Sequence, residues 1–219
     1  RWKSVVRLSQ KKIRNRRGQR VGEPPKRLDQ KDVCMSKSIA LIGYMCAGKT
    51  IIGRDLAKAI GRRFYDLDWY IEERYHKKIT AMFEDEGEAY FRDVESRMLR
   101  EVAAFEDIVL SCGGGTPCFN ENMRFLNEVS ETIYLKASPR TLCDHVKMSR
   151  GRRPLLEGKP TEELEAHIAA QLEQRSPFYE QAQHIINIDV LDSFSKVNFV
   201  VNEIQRCLGT TEEAVDLNC

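Results

Sequence analysis

The sequence predicts an α/β fold in three layers, α/β/α, with a parallel sheet of five strands between two layers of helices. Three observations predict it. Five short runs, SIALI, RFYDL, DIVLS, ETIYLK and HIINI, alternate with stretches of helical length and period; such alternation gives each pair of strands a helical crossover, so the strands run parallel and are covered on both faces. A glycine-rich stretch, GYMCAGKT (43–50), sits at the first junction of strand and helix. The segment EAYFRDVESRMLREVAAF sets Phe91, Val94, Met98, Leu99 and Val102 on one apolar helical stripe.

Taken in chain order, residues 1–34 hold 12 basic and 3 acidic residues, a net of +9 in a chain of 219 residues whose total is only +2. A basic tail thus precedes an acidic body. The tail has few apolar residues and no regular period, too little to offset its chain entropy by burial, so disorder is expected there. An Arg-rich organelle leader, a nucleic-acid-binding arm and sequence upstream of a start at Met35 are three accounts of it. We favour the last, because Met35 falls three residues before the first strand. This sets the domain at 35–208 and a C-terminal tail at 209–219. No apolar stretch approaches the ~20 residues of a membrane span, so a soluble protein is expected. The seven cysteines (34, 46, 112, 118, 143, 207 and 219) are odd in number and lack metal-like pairing, which favours reduced thiols, including the two in CGGGTPC.

After the first strand, Gly43, Gly48, Lys49 and Thr50 match G-x-x-x-x-G-K-[ST] between a strand and a helix, the context that gives this pattern meaning. The glycines let successive N–H groups turn toward phosphate oxygens, and the helix adds its positive end. Lys49 supplies a point charge to the β- and γ-phosphates, and Thr50 a hydroxyl ligand for Mg²⁺. The stretch is read as a nucleoside triphosphate site, with ATP the expected nucleotide. The second strand leads into YDLDWYIE, where strand alternation would aim Asp66 and Asp68 to one side at the carboxyl edge of the sheet. One carboxylate is then available for the Mg²⁺ shell and the other for an attacking hydroxyl; a D-x-D cap on the following helix is the plainer alternative.

Arg92 opens the apolar-striped helix beside Phe91, and Gly113–Gly115 follow the third strand, offering a backbone that a ligand can approach closely. Alone, Arg92 would read as a surface ion-pair residue and the glycines as a turn. Ser138-Pro139 looks like a helix N-cap with proline behind it, and Gly61 and Gly209 like helix stops. SRGRRPLLEGKPT (149–161) combines Gly, Pro and four cations with little periodicity and reads as a mobile lid.

Taken together, GYMCAGKT, DLDWYIE, MFEDEGEAYFRDVE, SCGGG, RRPLL and RSPFY resemble, in order and spacing, the shikimate kinases, from about Ser36 to at least Asp189. The resemblance implies a P-loop kinase version of the three-layer fold and Mg²⁺-dependent transfer of the ATP γ-phosphate to the 3-hydroxyl of shikimate. It implies Gly43, Cys46, Ala47, Gly48, Lys49, Thr50, Ile51 and Arg153 around the nucleotide, with Thr50 and Asp66 toward the metal. Asp68, Arg92, Gly114, Arg175, Phe83 and Phe91 are implied to surround shikimate, with Lys49, Asp68 and Arg153 as the catalytic set and Glu95 holding an arginine. Paired guanidinium forks suit a small ring carboxylate independently of any family. Cys46 stands where Gly or Ser is usual, and Ile51 where a second hydroxyl residue is common. Lys147 and Ser193 fall only near the positions expected to contact adenine.

A cytoplasmic monomer is expected from the resemblance, with no nucleic-acid binding by the folded domain. Competing readings are a gluconate or nucleoside monophosphate kinase, which shares the phosphate loop and lid, and a non-catalytic binding module, which would not be expected to retain Lys49, Asp68, Arg92 and Arg175 together.

Overall fold

The apolar runs become strands because each can bury both of its faces. β1 (Ser38–Ile42) is buried from its second residue onward, β3 (Ile108–Ser111) throughout, and β4 (Ser130–Lys136) nearly so. β2 (Arg63–Asp66) and β5 (His184–Asn187) are more exposed. The strand order β2-β3-β1-β4-β5, parallel throughout, accounts for the difference: the apolar runs hold the centre and the mixed ones the two edges. In this computed structural model the described residues are 37–148, 161–189 and 195–209, excluding the side chains of Ser195 and Lys196, and all lie in the unit Ser36–Cys219.

The helices are α1 (Lys49–Ala59), α2 (Leu67–Tyr75), α3 (Ile79–Ala103), α4 (Asn122–Val129), α5 (Pro139–Met148), α6 (Thr161–Tyr179) and α7 (Ser195–Cys207), with a short 3₁₀ turn over Thr116–Cys118. The stripe expected on α3 is buried as read: Phe91, Val94, Met98, Leu99 and Val102 all face the core. Its start differs from the expectation. Helical structure begins at Ile79 and breaks at Gly87, whose φ of +82° and ψ of 172° separate a first segment from the one that carries Arg92. Ser138 caps α5 as expected, its Oγ accepting from the Thr141 N–H at 3.2 Å, and Gly61 and Gly209 both take positive φ where helices end. Thr161, read as the end of the lid, is already the first residue of α6; the rest of that segment, Arg153 included, lies outside the described residues. No helix among the described residues is long and apolar enough to cross a membrane.

Register brings the functional segments to one edge. Leu41 pairs with Ser111, and Ser111 with Asp66, so β1, β3 and β2 end level, and the segments that leave them begin side by side. Against this edge α1 packs closely. A Cβ on Gly53 would stand 2.6 Å from the Phe64 ring and 3.1 Å from Leu41. Gly53→Val is accordingly expected to lower unfolding stability by about 2 kcal/mol through overpacking, read by chemical denaturation.

Candidate active site

The phosphate loop leaves β1 at Gly43, where φ is +139° and a Cβ would lie 2.8 Å from the Leu135 carbonyl oxygen; angle and space both demand glycine. Gly48, at φ +81°, caps α1. Between them Cys46 takes φ +62°, a left-handed conformation that costs a residue with a Cβ about 1–2 kcal/mol. That conformation favours glycine, and Cys46 carries its cost in this chain. A ring nitrogen of His145, on α5, lies 3.0 Å from the Cys46 carbonyl oxygen and helps hold it there. Ala47 is buried and Ile51 half exposed.

Lys49 is only 8% exposed, and its Nζ donates to the Gly43 and Tyr44 carbonyls at 2.8 Å each. The loop thus holds its own ammonium inside its curve. Thr50 Oγ1 donates to Asp66 Oδ2 at 2.8 Å, joining the hydroxyl and the carboxylate expected beside Mg²⁺. Among the described residues no group of three or more His, Cys, Asp and Glu side chains is arranged to cage a metal. One hydroxyl and one carboxylate nevertheless fit Mg²⁺, which keeps several waters and takes further ligands from substrate phosphates.

The strand-alternation reading of Asp66 and Asp68 is corrected by the structure. β2 ends at Asp66, whose Oδ1 accepts the N–H groups of Asp68 and Trp69 at 3.1 and 3.5 Å, so Asp66 caps α2 while its other oxygen meets Thr50. Asp68 therefore stands in the first turn of a helix rather than on a strand. A free carboxylate at an N-cap satisfies orphan N–H groups, and this ends the strand two residues before alternation could act.

Asp68 still reaches the triple glycine, and the reason two of those three residues lack side chains is visible there. A Cβ on Gly113 would lie 2.8 Å from Asp68 Oδ1, one on Gly114 would lie 3.6 Å from Arg175 Nη1, and one on Gly115 would lie 2.6 Å from Arg92 Nη1. A side chain on Gly113 or Gly115 would crowd its polar neighbour, whereas Arg175 stands at ordinary contact distance from Gly114. Gly114 also abuts the phosphate loop, 3.3 Å from the Met45 nitrogen by the same measure, so the two candidate pockets face each other.

Arg92 is braced on every side. Nη1 donates to Glu95 at 2.8 Å and Nη2 to Glu88 at 3.0 Å, while its guanidinium lies 4.1 Å from the ring centre of Phe119 and 5.2 Å from that of Phe91. Phe83 stacks on Phe91 at 4.6 Å. Glu95 is 1% exposed and also accepts from Thr116 Oγ1 at 2.6 Å, so its buried charge has both an ionic and a hydrogen-bonded partner. Arg175 differs: its guanidinium lies 5.5 Å from the Tyr44 ring centre, and among the described residues no carboxylate is within ion-pair distance.

Comparison with known proteins identifies the family. The family model described as shikimate kinase matches residues 45–208. This chain belongs to the shikimate kinase family. It is 45% identical to a Bacteroides fragilis shikimate kinase over 171 residues, 78% of this chain and 96% of that protein. Among solved structures, the shikimate kinase of Bacteroides thetaiotaomicron superposes with a TM-score of 0.76 at 44% identity, covering 79% of this chain and 98% of that one. The Acinetobacter baumannii shikimate kinase, solved in complex with shikimate, gives 0.69 at 30% identity, covering 81% and 96%. The activity is accordingly that of a shikimate kinase, an ATP-dependent phosphotransferase.

For this shikimate kinase, sequence reasoning missed three residues around Arg92. Phe119 gives the guanidinium its nearest aromatic face, Thr116 anchors Glu95, and Asn120 Nδ2 donates to the Arg92 carbonyl at 3.1 Å. Asn120 and Glu121 both take left-handed φ, 50° and 55°, which turns the chain sharply after Phe119. Asn at one of these positions was the only local signal. Cys112 and Cys118, which flank the glycines, are both free thiols, and burial pushes the Cys112 thiol well above its ordinary pKa, leaving it inert. Lys147 lies on α5, 4.0 Å from Asp144, and Ser193 is outside the described residues.

Proposed function

We propose that residues 35–208 form the catalytic domain and that the enzyme transfers the γ-phosphate of ATP, bound with Mg²⁺, to the 3-hydroxyl of shikimate through the residues described above. The carrying observation is that Asp68, Arg175 and Arg92 converge on the triple glycine, with polar atoms 2.8, 3.6 and 2.6 Å from where Cβ atoms on Gly113, Gly114 and Gly115 would stand. A carboxylate and two guanidinium groups set around one partly exposed backbone turn match a ring that bears hydroxyls and a carboxylate.

In this reading Arg92 and Arg175 grip the ring carboxylate, Gly114 supports the ring through its backbone, and Phe83 and Phe91 wall the apolar side. Asp68 accepts the proton of the attacking hydroxyl as its oxygen forms a bond to the γ-phosphorus and the bond to ADP breaks. Lys49 and the N–H groups of the loop from Gly43 through Cys46, Ala47 and Gly48 to Thr50 and Ile51 neutralise the phosphates, with Arg153 joining from the lid. Thr50 and Asp66 would hold Mg²⁺, which would supply charge neutralisation at the phosphates. The family resemblance supports a cytoplasmic monomer without nucleic-acid binding by the folded domain. ADP release from the full chain with Mg²⁺-ATP is expected with shikimate and not with gluconate or nucleoside monophosphates. Stimulation by either of the latter, with none by shikimate, overturns the reading.

A further inference from the structure

Tyr179, the last residue of α6, is completely buried, and its ring packs against Tyr134 with centroids 5.1 Å apart. Its hydroxyl donates to the carbonyl of Gly114, 65 residues away in the chain. Arg175 stands four residues earlier on the same helical face, with Nη1 3.6 Å from where a Cβ on Gly114 would lie. The Tyr179 hydroxyl therefore ties the middle glycine of the turn to the helix that carries the arginine lacking an ionic partner among the described residues. The neighbourhood extends to the phosphate loop: Tyr44 lies beneath the Arg175 guanidinium, and its own hydroxyl donates to Gln171 at 2.7 Å, one turn before Arg175 on α6.

A buried tyrosine needs some partner for its hydroxyl, and a stray carbonyl would suffice for that. Tyr134 shows the plain case in the same ring pair. Burial pushes its hydroxyl up to about 12, and among the described residues that hydroxyl makes no hydrogen bond to the triple glycine or to Arg175. Tyr179 instead bonds a carbonyl that borders the candidate pocket. Arg92 has Glu88, Glu95 and Phe119 to fix its fork, whereas Arg175 rests on the Tyr44 ring.

We propose that Tyr179 is a positioning residue for shikimate: its hydroxyl sets Arg175 and Gly114 relative to each other so that the ring carboxylate meets an already oriented guanidinium. The inference rests on Arg175 and Gly114 belonging to the shikimate pocket.

The test is steady-state kinetics of the full chain with Mg²⁺-ATP for Tyr179→Phe, with Tyr134→Phe as the control that removes a neighbouring buried hydroxyl. Tyr179→Phe keeps the ring and loses only the bond to Gly114. The expected result is a rise of roughly tenfold in KM for shikimate, as for the loss of one buried hydrogen bond, with KM for ATP and kcat within about twofold. Tyr134→Phe is expected to leave both KM values unchanged. In an Arg175→Ala background the Tyr179→Phe change is expected to have no further effect on shikimate affinity, because coupled groups are not additive. Equal rises in both KM values, an unchanged KM for shikimate, full additivity with Arg175→Ala, or failure of Tyr179→Phe to fold would each make the hydroxyl merely structural and overturn the proposal. Arg175→Ala alone separates the two levels: if it leaves shikimate affinity intact, the pocket assignment itself fails, whatever Tyr179→Phe does.

Discussion

Lys49→Met lowers kcat by about 10³-fold, while the thermal midpoint falls by no more than a few degrees. The ammonium sits inside the phosphate loop, 2.8 Å from two carbonyl oxygens, at a position 8% exposed. Charge accumulates on the phosphate oxygens as the transferring group leaves ADP, and a preorganised cation in a water-poor site stabilises that charge more than it stabilises bound ATP. Loss of one such contact typically costs 10²–10³ in rate, and removal of a full charge belongs at the upper end. Met fills nearly the same volume, and the hydrogen bonds lost to the Gly43 and Tyr44 carbonyls are offset by no longer burying a cation at a site 8% exposed. Lys49→Arg is not expected to rescue, because a planar fork is larger than an ammonium and the loop closes around the latter. Single-turnover phosphoryl transfer with saturating ATP, together with a thermal melt, reads both quantities. A kcat within tenfold of the parent would remove Lys49 from the chemistry.

The two arginines are expected to fail differently when replaced. Arg175→Ala raises KM for shikimate by roughly 10²-fold, the loss of a charge-assisted pair, and shifts the thermal midpoint little, because no ionic partner among the described residues is left behind. Arg92→Ala raises the same KM and also destabilises the fold. It strands Glu95, a carboxylate 1% exposed whose remaining partner among the described residues is the Thr116 hydroxyl. Breaking a buried pair from one side costs about 3–5 kcal/mol, or roughly 6–20 °C in a domain of this size. Arg92→Ala combined with Glu95→Gln is expected to recover most of the stability and none of the affinity. Shikimate titrations and melts of the three variants separate the effects. Equal melts for Arg92→Ala and Arg175→Ala would show that Glu95 does not depend on Arg92.

Much of the site follows from short-range pattern. The loop at 43–50 is contiguous, so its glycines, lysine and threonine act on one another through the local backbone. Arg92 and Glu95 are three apart on a helix, and a one-turn contact is legible wherever the helix is. The strands were readable because apolar runs too long for a turn and too short for a buried helix have few other solutions. Where the reading went astray, a local competitor won: Asp66 capped α2 and took Asp68 off the strand.

The chemistry, the strand and helix alternation and the residues able to bear charge are thus carried by neighbours in the chain, because hydrophobic period and phosphate-loop geometry span only a few residues. Which partner each charge meets was decided by folding. Asp68 against Gly113, Thr116 on Glu95, Phe119 over Arg92 and Tyr179 on Gly114 all join segments between 21 and 65 residues apart or belong to different elements. They meet because the order β2-β3-β1-β4-β5 and the level ends of three strands bring separate loops to one edge. No residue pattern within a single element encodes that adjacency, since it arises only when every strand buries its faces at once.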